Sequence, residues 1–154
     1  MNVPVSDVKP PLAAGPPGDP KALLRAMLDS VPDNVAVLDA RGTIVMTNIA
    51  WRQYAIAYSP VPGQATPNSD VGVNYLEVSS RGNYPNDESG RRAVQGIRDV
   101  LSGAMEAFSL CYPCHTPDEQ LWSTMTVTPL EWEGERGALV THTDTTPRHR
   151  LNRR

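Results

Sequence analysis

The chain has 154 residues, enough for one domain with a real core, and a formal net charge of −3 with 20% charged residues. That mildly acidic balance gives no basic face of the kind nucleic-acid binding needs, and the short run Arg148-His149-Arg150-Leu151-Asn152-Arg153-Arg154 reads as a solvated end. No apolar run approaches the ~20 residues of a membrane span, no secretory start is present, and Cys111 and Cys114 are too few for a disulfide framework. A cytoplasmic protein is expected, with neither membrane nor nucleic acid as partner.

Residues 1–20 hold six of the fifteen prolines and few large apolar side chains, the composition of a disordered leader. Asp19-Pro20 then predicts a helix start, N-cap followed by proline at the first helical position, and Ala22, Leu23, Ala26 and Met27 recur at helical spacing. Val31-Pro32 stops it, because a residue before proline avoids the α region. Val35, Val37 and Leu38 predict one strand and Ile44 to Met46 the next, with Gly42 in the turn between them. Asn48 is placed as the N-cap of a helix through Trp51, Tyr54 and Ala55. Loops are expected over residues 59–70 and 81–86, around a helical turn near residues 73–78.

The clearest helix is predicted from Asp87 to Ser102, with Ala93, Val94, Ile97, Val100 and Leu101 on one apolar stripe and Gly103 as its stop. Beyond it the period changes to two. Phe108, Leu110 and Tyr112 alternate, then Leu121, Met125 and Val127, then Ala138 and Val140, with breaks at residues 113–118 and 131–137. Three antiparallel strands follow from that pattern. The whole is an α+β domain whose five-stranded sheet covers its apolar face with helices, leaving room for a cavity between them.

Specific residues sharpen this. Leu28-Asp29-Ser30-Val31-Pro32-Asp33 with Val37-Leu38-Asp39 and Gly42, then Asn48-Ile49-Ala50, Gly72-Val73-Asn74-Tyr75-Leu76, Tyr112-Pro113-Cys114-His115-Thr116-Pro117, and Asp144-Thr145-Thr146 stand in the order of a PAS domain. Over residues 21–147 the chain resembles that family, in particular a bacterial subgroup attached to sensor histidine kinases and diguanylate cyclases. The resemblance implies the PAS fold, a five-stranded antiparallel sheet with helices over one face and an N-terminal cap helix. It also implies a sensory or protein-interaction role and output through Asp144, Thr145 and Thr146 to a separate domain or protein. Homodimerisation through the N-terminal helix is expected because Ala22 to Leu28 offers apolar surface on more than one side. Thr145 replaces the isoleucine common in the closing motif. Pro147 can sit in the first turn of an output helix, so residues 148–154 are either a basic tail or the start of such a helix.

Trp51, Tyr54, Tyr75, Phe108 and Met125 could line a small-molecule pocket beneath the helices, with Ile97, Leu101 and Val140 beside them. At these positions the same residues serve as core. His142 shares strand parity with Ala138 and Val140, where a histidine is either a hydrogen-bonded core residue or a ligand group.

Cys111-Tyr112-Pro113-Cys114-His115 matches the attachment pattern of c-type haem. It falls on a strand running into a hairpin, without an export signal, so chance and ordinary packing are the plainer account. A zinc site would need about four ligands, with only His142 and His149 to spare, and no metal is assigned. The family's oxygen-sensing haem members usually place their histidine on the long helix, which here has none. Its light-sensing members carry a flavin-reactive cysteine where this chain has Tyr75. The expected state is therefore without cofactor, with non-covalent haem or flavin left open.

Catalysis finds little support: no phosphate loop, nucleophile elbow or zinc-binding helix is present, and a non-enzymatic protein is expected. Two rival readings remain. One is a small α+β enzyme acting on a small molecule in an apolar cavity with His142 or a buried aspartate as base; the other is a haem- or flavin-binding redox sensor.

Overall fold

The computed structural model describes residues 18–57, 70–77, 88–113 and 117–153. The leader up to residue 17, most of the two expected loops, the capping role of Asp87, and Cys114 with His115 lie outside these.

Asp19 caps α1 (Pro20–Asp29) by accepting a hydrogen bond from the Lys21 amide at 3.1 Å. β1 (Asn34–Leu38) and β2 (Ile44–Thr47) form a hairpin. In its turn Asp39 Oδ1 accepts from the amides of Arg41 and Thr43, and Gly42 takes φ 87°, a conformation cheap only for glycine. α2 (Ile49–Ala57) follows, and a helical turn over residues 75–77 lies against β2. There the Ile44 amide donates to the Val73 carbonyl and the Tyr75 amide to Gly42.

α3 (Glu88–Ser102) buries Val94, Gly96, Ile97 and Val100 against the sheet. A Cβ at Gly96 would run into the ring of Phe108, so glycine lets that ring lie flat on the helix. Arg136 closes the helix C-terminus, donating from Nε to the Val100 carbonyl at 2.7 Å, where a positive charge meets the negative end of the helix dipole.

β3 (Phe108–Pro113), β4 (Trp122–Trp132) and β5 (Glu135–Asp144) form the expected antiparallel meander. The last hairpin is tighter than the sequence suggested. Residues 131–137 read as a break, yet the strands continue to Trp132 and resume at Glu135 around Glu133 and Gly134, with φ 51° and 77°. A two-residue turn with both φ positive matches the twist of its strands, and exposed charged residues are tolerated in the flanks. Pro129 is accommodated because β3 no longer pairs with β4 beyond Val127.

The sheet order is β2-β1-β5-β4-β3, antiparallel throughout. One face carries Ala36, Leu38, Ile44, Met125, Val127, Ala138 and Val140, which pack with Trp51, Ile97 and Val100 into the core. α4 (Thr146–Leu151) closes the described chain, with Pro147 in its first turn. No helix among the described residues is long and apolar enough to cross a membrane.

Candidate functional site

The covered face of the sheet is aliphatic except near the ends of β3 and β5. His142 lies there opposite Met125 on β4 and Asn34 on β1, one step beyond Val140. Its Nδ1 shares a hydrogen bond of 2.8 Å with the Tyr112 hydroxyl, and the two rings meet edge to face at 6.0 Å. From the helical side Trp51 reaches over, its ring 5.7 Å from His142 and 5.9 Å from Tyr75, both tilted. Trp51, Tyr75, Tyr112 and His142 thus form one aromatic group contributed by α2, the turn at residues 75–77, β3 and β5. Packing among them desolvates His142 and lowers its pKa from 6.5 to about 4, so the imidazole is neutral at physiological pH. A neutral imidazole can donate or accept, and the rings around it present flat apolar surface. The group thus combines flat apolar surface with one neutral polar pair, the makings of small-molecule sites in general.

The other expected residues divide. Ile97, Met125 and Val140 are fully in the core, and Leu101 and Phe108 are packed against it. Tyr54 is not brought to the site: it stands 49% exposed, whereas Ala55, four residues after Trp51, takes the buried position on the same helix face. Cys111 lies on the opposite face of β3 and is exposed. No group of three or more metal-ligating side chains occurs among the described residues. Tyr112 was missed as a site residue, although its alternation with Phe108 and Leu110 already placed it on the inner face.

At the end of β5, where output is expected, Thr145 and Thr146 are tied to β4 through Trp122. The Trp122 amide donates to Thr146 Oγ1 at 3.0 Å, that hydroxyl donates to the Trp122 carbonyl, and the Thr145 amide donates to the same carbonyl at 3.0 Å. Asp144 Oδ1 accepts from the Thr146 amide at 2.9 Å, and hydrogen bonding from Thr146 holds its carboxyl below the usual range. The Trp122 ring is stacked by His149 at 3.9 Å, with the Arg153 guanidinium 5.3 Å from its centroid. Sequence reasoning passed over Trp122. The available signal was its outward parity one strand away from a basic segment.

Comparison with known proteins agrees with this architecture. The family model described as PAS fold matches residues 28–150, and the chain belongs to that family. It is 40% identical over 129 residues to an uncharacterised 104.1 kDa protein of the hypE 3′ region in Rhodobacter capsulatus, covering 82% of this chain and 13% of that protein's length. Among solved structures, it is similar to the PAS domain of Bordetella pertussis BvgS, with a TM-score of 0.53 and 17% identity over 86% of this chain and 91% of that one. It is also similar to the Vibrio cholerae VqmA dimer in the absence of its target DNA, with a TM-score of 0.56 and 16% identity over 82% of this chain and 52% of that one. At these identities the solved structures establish the fold. PAS domains in general are sensory signalling modules.

Proposed function

We propose that this chain is the sensory part of a bacterial signalling protein. It binds an aromatic or apolar small molecule against Trp51, Tyr75, Tyr112 and His142, and passes the change through Asp144 to Thr146 to a separate output domain or protein, as in two-component systems. The observation that carries the reading is the hydrogen-bonded Tyr112–His142 pair set among aromatic rings in an otherwise apolar core. The relative's length supports the modular part, since this chain spans only 13% of it. Binding can shift the output equilibrium by no more than the ligand's difference in affinity between the two states.

The chain acts without catalysis in this reading. A histidine with a pKa of about 4 is a weak base at neutral pH, far from the match between pKa and working pH that proton transfer favours. It pairs with a second copy through α1, which buries no residue and leaves Leu23 65% and Met27 59% exposed. Output runs through protein contact in the cytoplasm, the contact with DNA being a property of VqmA.

Native mass spectrometry and an absorption spectrum of the purified protein test the proposal. The expected result is a stoichiometric small molecule that is lost in His142→Leu and Trp51→Ala while the fold persists. Retention by both variants would place the ligand elsewhere. Turnover of a small molecule abolished by His142→Ala would replace the sensory reading with the enzymatic one.

A further inference from the structure

Asn48 is fully buried, and both ends of its side-chain amide are engaged. Oδ1 accepts from the amides of Trp51 at 2.9 Å and Val35 at 3.0 Å. Nδ2 faces three carbonyls, Asp33 at 2.7 Å, Leu28 at 3.1 Å and Val31 at 3.2 Å. An amide nitrogen carries two protons, so three acceptors oversubscribe it. The short bond to Asp33 holds one proton, and the other is divided between Leu28, in the last turn of α1, and Val31, in the linker after it. That second proton thus sits in a three-centre bond whose two branches, 3.1 and 3.2 Å, are nearly equal. The oxygen of the same amide is fixed to the backbone of the residue whose ring touches His142 and Tyr75.

We infer that Asn48 is a positioning residue that couples the aromatic site to α1: displacement of the Trp51 amide redistributes the shared proton and tightens or releases the α1 end. Asp29 supplies a parallel link, its Oδ1 accepting from the Ile49 amide at 2.8 Å and from Arg52 at 3.4 Å. Because α1 buries none of its own residues, these contacts at its C-terminal end set its angle to the domain. This deepens the sensory reading and rests on it only for what the site binds. A two-state element biased from both sides is what coupling requires physically.

Hydrogen exchange of the unliganded protein tests it, so its failure is separate from failure to find a ligand. Trp51→Phe should speed exchange of the amides of residues 27–31 about fivefold, the low end of ordinary coupling. Val127→Ala, a cavity in the core strand β4 outside this network, should leave those amides unchanged once global stability is matched. In an Asn48→Ser background, which keeps a cap for Trp51 but cannot span to the carbonyls, Trp51→Phe should add nothing further. Asn48→Asp, which keeps the acceptor and loses both protons of the amide, serves where the serine variant does not fold. Unchanged α1 exchange in Trp51→Phe, an equal response to Val127→Ala, or a full response persisting without Asn48 would overturn the inference.

Discussion

The two terminal helices differ in a way their sequences do not suggest. α1 runs ten residues with an apolar face, yet none of its residues is buried. α4 has six residues and a basic surface, yet it is fastened by a buried threonine, a stacked histidine and an arginine over one tryptophan ring. Attachment here follows the partner surface rather than helix length or apolar content. Trp122 gives α4 a surface to dock on, while among the described residues α1 is hydrogen-bonded to the domain through Asp29 and the Leu28 carbonyl that Asn48 holds. Apolar side chains left in water by the first arrangement are available to a second chain, and the second arrangement fixes the end of β5 to β4.

Removing that surface is the largest available test. Trp122→Ala should cost about 3–5 kcal/mol, the usual range for a buried aromatic, and should strip hydrogen-exchange protection from residues 146–151 while leaving α1 as it was. Denaturant unfolding with exchange would measure both, and equal loosening of the two helices would erase the distinction.

Acid offers a reversible version. The folded pKa of His142, about 4, lies below its ordinary 6.5, so the unfolded chain takes up the proton first as pH falls. Stability from this group is complete above pH 6.5 and should decline by about 3 kcal/mol between there and pH 4, a slope that His142→Leu removes. Asp144 acts in the same sense at lower pH, since protonation weakens its bond to the Thr146 amide. Fluorescence-detected unfolding at stepped pH would follow the slope. Exchange carried below that range should show α4 loosening as Asp144 takes up its proton.

Thr146→Val removes the hydroxyl of the α4 anchor and with it both of its bonds to Trp122. It leaves the buried Trp122 amide without its side-chain acceptor and should cost about 1–3 kcal/mol in urea unfolding. The smallest effect is expected on the other helix. Leu23→Ser with Met27→Ser should change monomer stability by no more than about 0.5 kcal/mol per site, because both side chains are already solvated. The same pair should shift a dimer to monomer in sedimentation analysis, and a large loss of monomer stability would mean that α1 is covered after all.

The strands and α3 were legible because periods of two and 3.6 are imposed by backbone geometry, and burial of one face selects them wherever they occur. The α1 cap, the Gly42 turn and the Asn48 cap were legible for a similar reason: each depends on neighbours within a few residues. The last hairpin was less so, since Glu133 adopts a positive φ that its residue type does not announce. The candidate site was half visible. His142 and Tyr112 stood on inward parity, but parity says nothing of which helix residue will meet them. Only the packing of α2 on the sheet chose Trp51 and left Tyr54 in solvent.

By itself, then, the sequence determined the order of elements, the covered face of the sheet and the family resemblance, all of which rest on local spacing. Tertiary structure alone decided the pairing of Tyr112 with His142 across 30 residues, the five-bond engagement of Asn48, and the docking of α4 on Trp122. Contacts of that kind join groups far apart in the chain, and their partners are fixed only when the sheet brings the strands into register.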